Sequence, residues 1–200
     1  MKNIIYTIGY AGYNLEGFVA ALKKYSIYVL ADVRSSPYSQ FRPEFNREAL
    51  QSMLEKENIK YNFLGDKCGA RTPDRECYIN GKVDYFRLSK NPQFLEGISF
   101  LKQNSATTRI ALMCAEKDPI ACHRTILICR NLRTEDLDIK HILANGALED
   151  NRDSEKRLLS LYRMGTTDLF KSGTELVEEA YNKHGFKIAY EEKEELIRQE

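Results

Sequence analysis

The feature that most constrains this chain is a change of hydrophobic period that recurs through its first two-thirds. Ile4, Ile5, Tyr6, Thr7 and Ile8 form a near-continuous apolar run ending at Gly9, the pattern of a strand buried on both faces. Behind it, Asn14 suits a helix cap, and Leu15, Phe18, Val19 and Leu22 recur at helical spacing. The alternation then repeats. Residues 27–33 read as a second strand, Asn46 precedes a helix carrying Leu50, Met53 and Leu54, and residues 59–64 read as a third strand. Asn91 and Pro92 open a helix through Phe94, Leu95, Ile98 and Leu101, followed by a fourth strand at 109–114. Pro119 suits the first turn of a helix running through Ile126, Leu127 and Cys129 to about Leu132, and residues 137–143 read as a fifth strand. Strands alternating with helices predict right-handed βαβ units, hence an α/β, Rossmann-like three-layer domain with a mainly parallel sheet.

Two stretches interrupt the pattern. Residues 34–45 hold Pro37 and Pro43 and read as a long loop; residues 66–82 are polar and irregular. Beyond Asn145 the character changes. Residues 149–157 are densely charged and 158–162 resume an apolar face; Ser172, Gly173 and Thr174 precede a helix through Tyr181, and 185–190 read as a short strand before a solvated, Glu-rich end. The 200 residues suffice for one well-cored domain with an appendage. The expected division is an α/β core over 1–145 and a C-terminal helical extension over 146–200, packed on the core.

Thirty basic against twenty-nine acidic residues give a net charge of +1, so no bulk field attracts nucleic acid or a membrane surface, and any anion site must be local. No apolar stretch approaches the roughly 18 residues of a membrane span, and the first residues show no leader pattern. Five cysteines, an odd number without a small disulfide framework, point to reduced thiols and a cytoplasmic protein.

In open parallel sheets, ligands bind beyond the carboxyl ends of the strands. That selects Gly9 to Gly12, Asp32 to Ser36, Gly65 to Arg71 and Cys114 to Arg124. The last segment is the richest, placing Cys114, Glu116, Lys117, Asp118, Cys122, His123 and Arg124 between a strand and a helix. A helix start offers unpaired N–H groups to an anion, with Arg124 and Lys117 adding charge. Glu116, just past a buried strand, suits a nucleophile or general base, while Asp118 before Pro119 also reads as an ordinary helix cap. Asp32 and Arg34 flank Val33 and point to one side of the pleat, where they grip a ligand or each other; Tyr10 either stacks on a base or closes the sheet end. Arg42 and Arg71 read as solvated loop charges.

Cys114, Cys122 and His123 lie close together, but their spacing matches no paired structural zinc motif, and a fourth ligand would have to come from Cys68 or Cys77. No metal ligand is therefore assigned from spacing. A cysteine nucleophile in a phosphate cradle is disfavoured too, because Glu116 and Asp118 repel a dianion and the next arginine is Arg124. Neither a Gly-x4-Gly-Lys loop nor a Gly-x-Gly-x-x-Gly fingerprint is present, and no cofactor is expected.

Thr7-Ile8-Gly9-Tyr10, Asp32-Val33-Arg34-Ser35-Ser36-Pro37 with Pro43 and Phe45, then Leu112 to Pro119 and Cys122-His123-Arg124, resemble the signature of the domain of unknown function 488, an uncharacterised bacterial and archaeal family. The resemblance spans about residues 3–145. Its motif positions here are Gly9, Tyr10, Asp32, Arg34, Pro37, Cys114, Glu116, Asp118, Cys122, His123 and Arg124. It implies a compact Rossmann-like α/β fold and no settled activity. One departure stands out: where the family tends to show Leu-Gly-Gly and a basic residue, this chain has Cys68-Gly69-Ala70-Arg71, and Ala70 is less permissive than glycine.

The leading expectation is an enzyme acting on a nucleotide, nucleoside or nucleic-acid base, by N-glycosidic cleavage or transfer. Glu116 and Asp32 are its catalytic residues; Tyr10, Arg34, Cys114, Asp118, His123 and Arg124 contact a small anionic or nucleotide-like ligand. One alternative is a non-catalytic nucleic-acid or nucleotide-binding module with a basic surface of Lys67, Arg71, Arg75 and Lys82. Another is a metal-dependent hydrolase.

Overall fold

A computed structural model describes residues 3–134 and 136–192. The Glu-rich end expected to be solvated lies outside them from residue 193 onward. The chain forms β1 (Asn3–Gly9), α1 (Leu15–Lys24), β2 (Val29–Asp32), α2 (Arg47–Lys56) and β3 (Lys60–Phe63). Next come one short helical turn, α3 (Gly65–Cys68), a small hairpin of β4 (Tyr78–Ile79) and β5 (Lys82–Val83), and a second short turn, α4 (Tyr85–Leu88). Then follow α5 (Pro92–Ser105), β6 (Ile110–Cys114), α6 (Arg130–Leu132), β7 (Leu137–Ile142), β8 (Leu148–Asp150), α7 (Asn151–Leu161) and α8 (Gly173–Ile188).

Six strands make one sheet in the order β3-β2-β6-β1-β7-β8, parallel throughout except for β8, which runs antiparallel on β7 at the edge. All residues of β2 and β6 are buried, which explains their continuous apolar runs. Alternate residues feed two cores. Tyr6, Ile8, Leu30 and Met113 face Phe18, Leu22, Leu50 and Leu54 of α1 and α2. Ile5, Ala31, Val33 and Leu112 share the other core with Ile98 and Leu101 of α5, and with Ala180 and Tyr181 of α8. The result is a three-layer α/β fold with C-terminal helices.

Three local expectations are corrected. The expected strand at 185–190 is instead the last turn of α8 over 185–188 followed by Ala189 and Tyr190 beyond its end; that helix begins with a reciprocal cap between Ser172 and Glu175 and buries Leu176, Ala180, Tyr181 and His184 along one face. The stretch 66–82 is not structureless, since it carries α3 and the β4–β5 hairpin. The helix expected from Pro119 to Leu132 is broken. Pro119–Ala121 is a single 3-10 turn, Cys122 is extended (φ −133°, ψ 141°), and a π-helical segment, Arg124–Cys129, then leads into α6. Wide helical turns of this kind are rare and cluster at functional sites.

Candidate active site

β2 and β6 are neighbours, with Asp32 in register with Met113. Their onward connections diverge: β2 leads outward to β3, while β6 leads past β1 to β7. Such a reversal opens a crevice beyond the strand ends. Here it is a cavity of about 460 Å³, lined from the β2 side by Arg34, Ser35 and Ser36 and from the β6 side by Cys114, Ala115 and Glu116. Tyr10, Arg71, Tyr85, His123 and Tyr190 also line it.

Of the residues singled out from sequence, Tyr10, Arg34, Cys114, Glu116 and His123 line this cavity; Asp32, Asp118 and Arg124 do not. Asp32 is fully buried, and its carboxylate is occupied. Oδ1 accepts from the Arg34 backbone N–H and Nε, and Oδ2 accepts from Arg34 Nη2 (2.6 Å) and the Tyr61 hydroxyl (2.7 Å). Arg34 Nη2 also donates to the Phe45 carbonyl, leaving its buried Nη1 without a hydrogen-bond partner among the described residues. Asp118 accepts from the Ile120 N–H and pairs with Arg157 at 2.6 Å, beside a separate depression shared with Lys117. Its role as a cap is the one the structure displays.

Arg124 is only 1% exposed. Its Nη1 donates to the Glu116 carbonyl at 2.7 Å and its Nε approaches Thr7 Oγ1 at 3.4 Å, so it holds the backbone that presents Glu116. Gly9 makes this approach feasible: a Cβ there would sit 1.8 Å from the Glu116 carbonyl oxygen.

The kink at Cys122 brings its sulfur and the His123 ring to the end of β6. His123 Nδ1 lies 3.6 Å from Cys114 Sγ and 3.9 Å from Cys122 Sγ, and the three side-chain donor atoms are within 4.8 Å of one another. His123 Nε2 is 3.0 Å from the Val33 carbonyl. A carbonyl only accepts, so Nε2 carries the hydrogen, and Nδ1 is the atom presented to the sulfurs. The Arg124 backbone N–H donates to Cys122 Sγ at 3.4 Å.

Electrostatically the cluster is asymmetric. Burial disfavours ionisation of Cys122, but the hydrogen bond from Cys114, the Arg124 charge and His123 outweigh it and pull the thiol well below its ordinary value. Cys114, donating to Cys122 and buried, is pushed well above. Burial opposes protonation of His123, yet Cys122 and Glu116 raise it overall. Desolvation, then Cys122, raises the Glu116 carboxyl above the usual range. Glu116 is exposed as a residue, yet protein atoms crowd its carboxyl, as a concave wall permits.

Neither Cys68 nor Cys77 joins the cluster among the described residues; Cys68 packs closely on Gly97, and Cys77 donates to Asp74. Three residues of the expected basic surface are neutralised, Lys67 by Glu96 (2.8 Å), Arg75 by Glu192 (2.5 Å) and Lys82 by Glu191 (3.1 Å). Arg71 differs. It is exposed in the cavity wall, stacks 4.4 Å over the Tyr190 ring, and has no carboxylate partner among the described residues. From sequence, Arg71 reads both as the end of the strand-end segment Gly65 to Arg71 and as a solvated loop charge, and Ser35 and Ser36 fall inside the Asp32–Pro37 motif; Tyr85 and Tyr190 carried no such signal.

A family model described as domain of unknown function DUF488 matches residues 14–130, more than half of the chain. No curated protein and no solved structure matches. Glu116, Cys122 and His123 fall within the matched residues, whereas Tyr10 and Tyr190 lie outside them. Among the described residues, no helix is long and apolar enough to cross a membrane.

Proposed function

The chain belongs to the DUF488 family, and from that premise we propose that it is an enzyme that hydrolyses a small anionic, nucleotide-like substrate held in the crevice between β2 and β6. One observation carries this reading. The same cavity of about 460 Å³ is lined by a carboxyl group, Glu116, and by a guanidinium, Arg71, that has no carboxylate partner among the described residues. Glu116 acts as general base on the attacking water. A crowded carboxyl whose basicity is raised suits that task near neutral pH. Arg71 receives the anionic group, with Ser35 and Ser36 as hydroxyl partners, and the Tyr10 and Tyr190 rings offer surfaces for a planar base.

The roles first expected for Asp32 and Arg124 are reassigned in this proposal. Asp32, fully buried and held by Arg34 and Tyr61, shapes the end of β2 without touching substrate. Arg124 positions Glu116 through its carbonyl. Arg34 stays in the wall; Asp32 neutralises most of its charge, and its Nη1, without a hydrogen-bond partner among the described residues, is the donor left for a ligand. The substrate class includes the N-glycosides of nucleotides and nucleosides.

The test is a hydrolysis screen over nucleotides, nucleosides and sugar phosphates with the full chain. Glu116→Gln should lower kcat at least a hundredfold on the substrate found, a typical share for general-base catalysis. Arg71→Ala should mainly raise KM. Unchanged turnover in Glu116→Gln, or no hydrolysis of any anionic substrate by wild type, contradicts the proposal.

A further inference from the structure

We propose that Cys114, Cys122 and His123 hold a single divalent transition-metal ion of the zinc type in the wall of the cavity. The inference rests on geometry and does not depend on the substrate reading above. A tetrahedral zinc ion with bonds of about 2.3 Å to sulfur and about 2.0–2.1 Å to nitrogen sets adjacent sulfur and nitrogen ligands about 3.5–3.6 Å apart. The His123 Nδ1 to sulfur distances are 3.6 and 3.9 Å and all three donor atoms lie within 4.8 Å of one another, so a small contraction brings them to three corners of such a polyhedron.

Two outer contacts complete the arrangement. The Nε2–H bond to the Val33 carbonyl fixes the tautomer that leaves Nδ1 free to ligate, as the second ring nitrogen of a metal-bound histidine characteristically does. The Arg124 backbone N–H donates to Cys122 Sγ, a contact that stabilises a thiolate and orients its lone pairs. Without a cation, both sulfurs face the same Nδ1 and Cys114 donates to Cys122 in turn. A metal ion among the three atoms takes a lone pair from both sulfurs and from Nδ1 at once. On binding, each thiol becomes a thiolate, its proton leaves to solvent, and the two negative charges balance the ion.

Donor chemistry sets the class of metal. Two thiolates and an imidazole favour zinc and disfavour magnesium or calcium, which take oxygen ligands. Three protein ligands are the count of catalytic zinc sites, whose fourth position takes water or substrate. Cys114 and His123 line the cavity together with Glu116, so the ion borders the space where that water and substrate would sit. The usual paired spacing is absent because a strand end and a kinked turn, not one knuckle, bring the ligands together.

The test uses the full chain, stripped with chelator, reloaded with zinc and freed of excess by gel filtration. Elemental analysis should find about one zinc per chain. Cys122→Ser and His123→Gln should lower retention at least tenfold, whereas Cys77→Ser and Glu116→Gln should keep it. Wild type loaded with cobalt(II) provides a second readout that does not depend on how the ligand variants fold, and should show sulfur-to-cobalt charge-transfer bands. Wild type that retains no zinc and shows no such band overturns the proposal. So does folded Cys122→Ser and His123→Gln protein that keeps zinc as well as wild type. Zinc retained by an inactive Glu116→Gln variant supports the metal site separately from the catalytic reading, and zinc absent from an active wild type rejects the metal site alone.

Discussion

His123 and His141 are both buried, 8% and 1% exposed, and both lie near Arg124, yet their surroundings differ in kind. His141, on β7, has oxygen on both sides: Nδ1 accepts from the Thr7 hydroxyl at 2.8 Å, and Nε2 donates to Asn151 Oδ1 at 3.1 Å. Asn151 passes the chain of bonds to Glu155, which also receives Arg133 and the Tyr181 hydroxyl. Every hydrogen-bonding atom of that imidazole is matched within the protein. His123 is matched on one side only, by the Val33 carbonyl, and its other nitrogen faces two sulfurs at the wall of a cavity. A fully matched buried histidine tightens a fold, and one with a lone pair aimed at thiols beside a cavity is arranged for chemistry.

The largest effect expected from breaking this contrast is on stability. His141→Ala leaves the Thr7 hydroxyl and Asn151 without their partner and opens a void, costing roughly 3–5 kcal/mol in urea unfolding. Zinc retention by the protein that remains folded should not change.

Acid should sharpen the same difference. Burial, with the Arg124 charge, lowers the His141 pKa from 6.5 to about 4. The neutral ring is therefore the folded form. Above pH 6.5 its contribution is fully present; as pH falls from 6.5 to about 4 the unfolded chain binds a proton that the folded one lacks, and stability drops. Below that window the loss stops. The drop is about 3 kcal/mol, and the difference between wild type and His141→Gln isolates it from His123, which shifts the opposite way. No pH-dependent difference between the two proteins across this window would contradict the assignment.

The smallest effect on stability belongs to the other histidine. His123→Gln, measured without metal, should cost about 1 kcal/mol, the worth of its bond to the Val33 carbonyl. A loss as large as that of His141→Ala would show that His123 is a structural residue like its counterpart.

The same contrast marks what could be read from sequence. The buried strands were legible because β2 and β6 are apolar on both faces, and the strand-end rule placed Cys114 and Glu116 at the crevice directly. The break at Cys122 was not legible: Pro119 and the apolar residues after it fit a continuous helix, and only the extended Cys122 backbone separates the 3-10 turn from the π-helical segment. That break is what unites Cys122 and His123 with Cys114, a grouping that close pairing in sequence does not record. Tyr85 and Tyr190 reach the cavity from a short turn and from beyond α8, through tertiary packing that no local pattern records. Asp32 and Arg34 were placed together correctly by strand alternation, and sequence alone left open whether they face a ligand or each other; their hydrogen bonds pair them.

Zinc K-edge X-ray absorption on the zinc-loaded 200-residue chain tests the central claim most directly, because it reads the ligand atoms without altering any of them. The account predicts two sulfur neighbours at about 2.3 Å and a histidine nitrogen at about 2.0 Å, with one further light atom in the fourth position. A first shell of oxygen and nitrogen alone would contradict it, and would leave His123, like His141, a histidine that only holds the fold together.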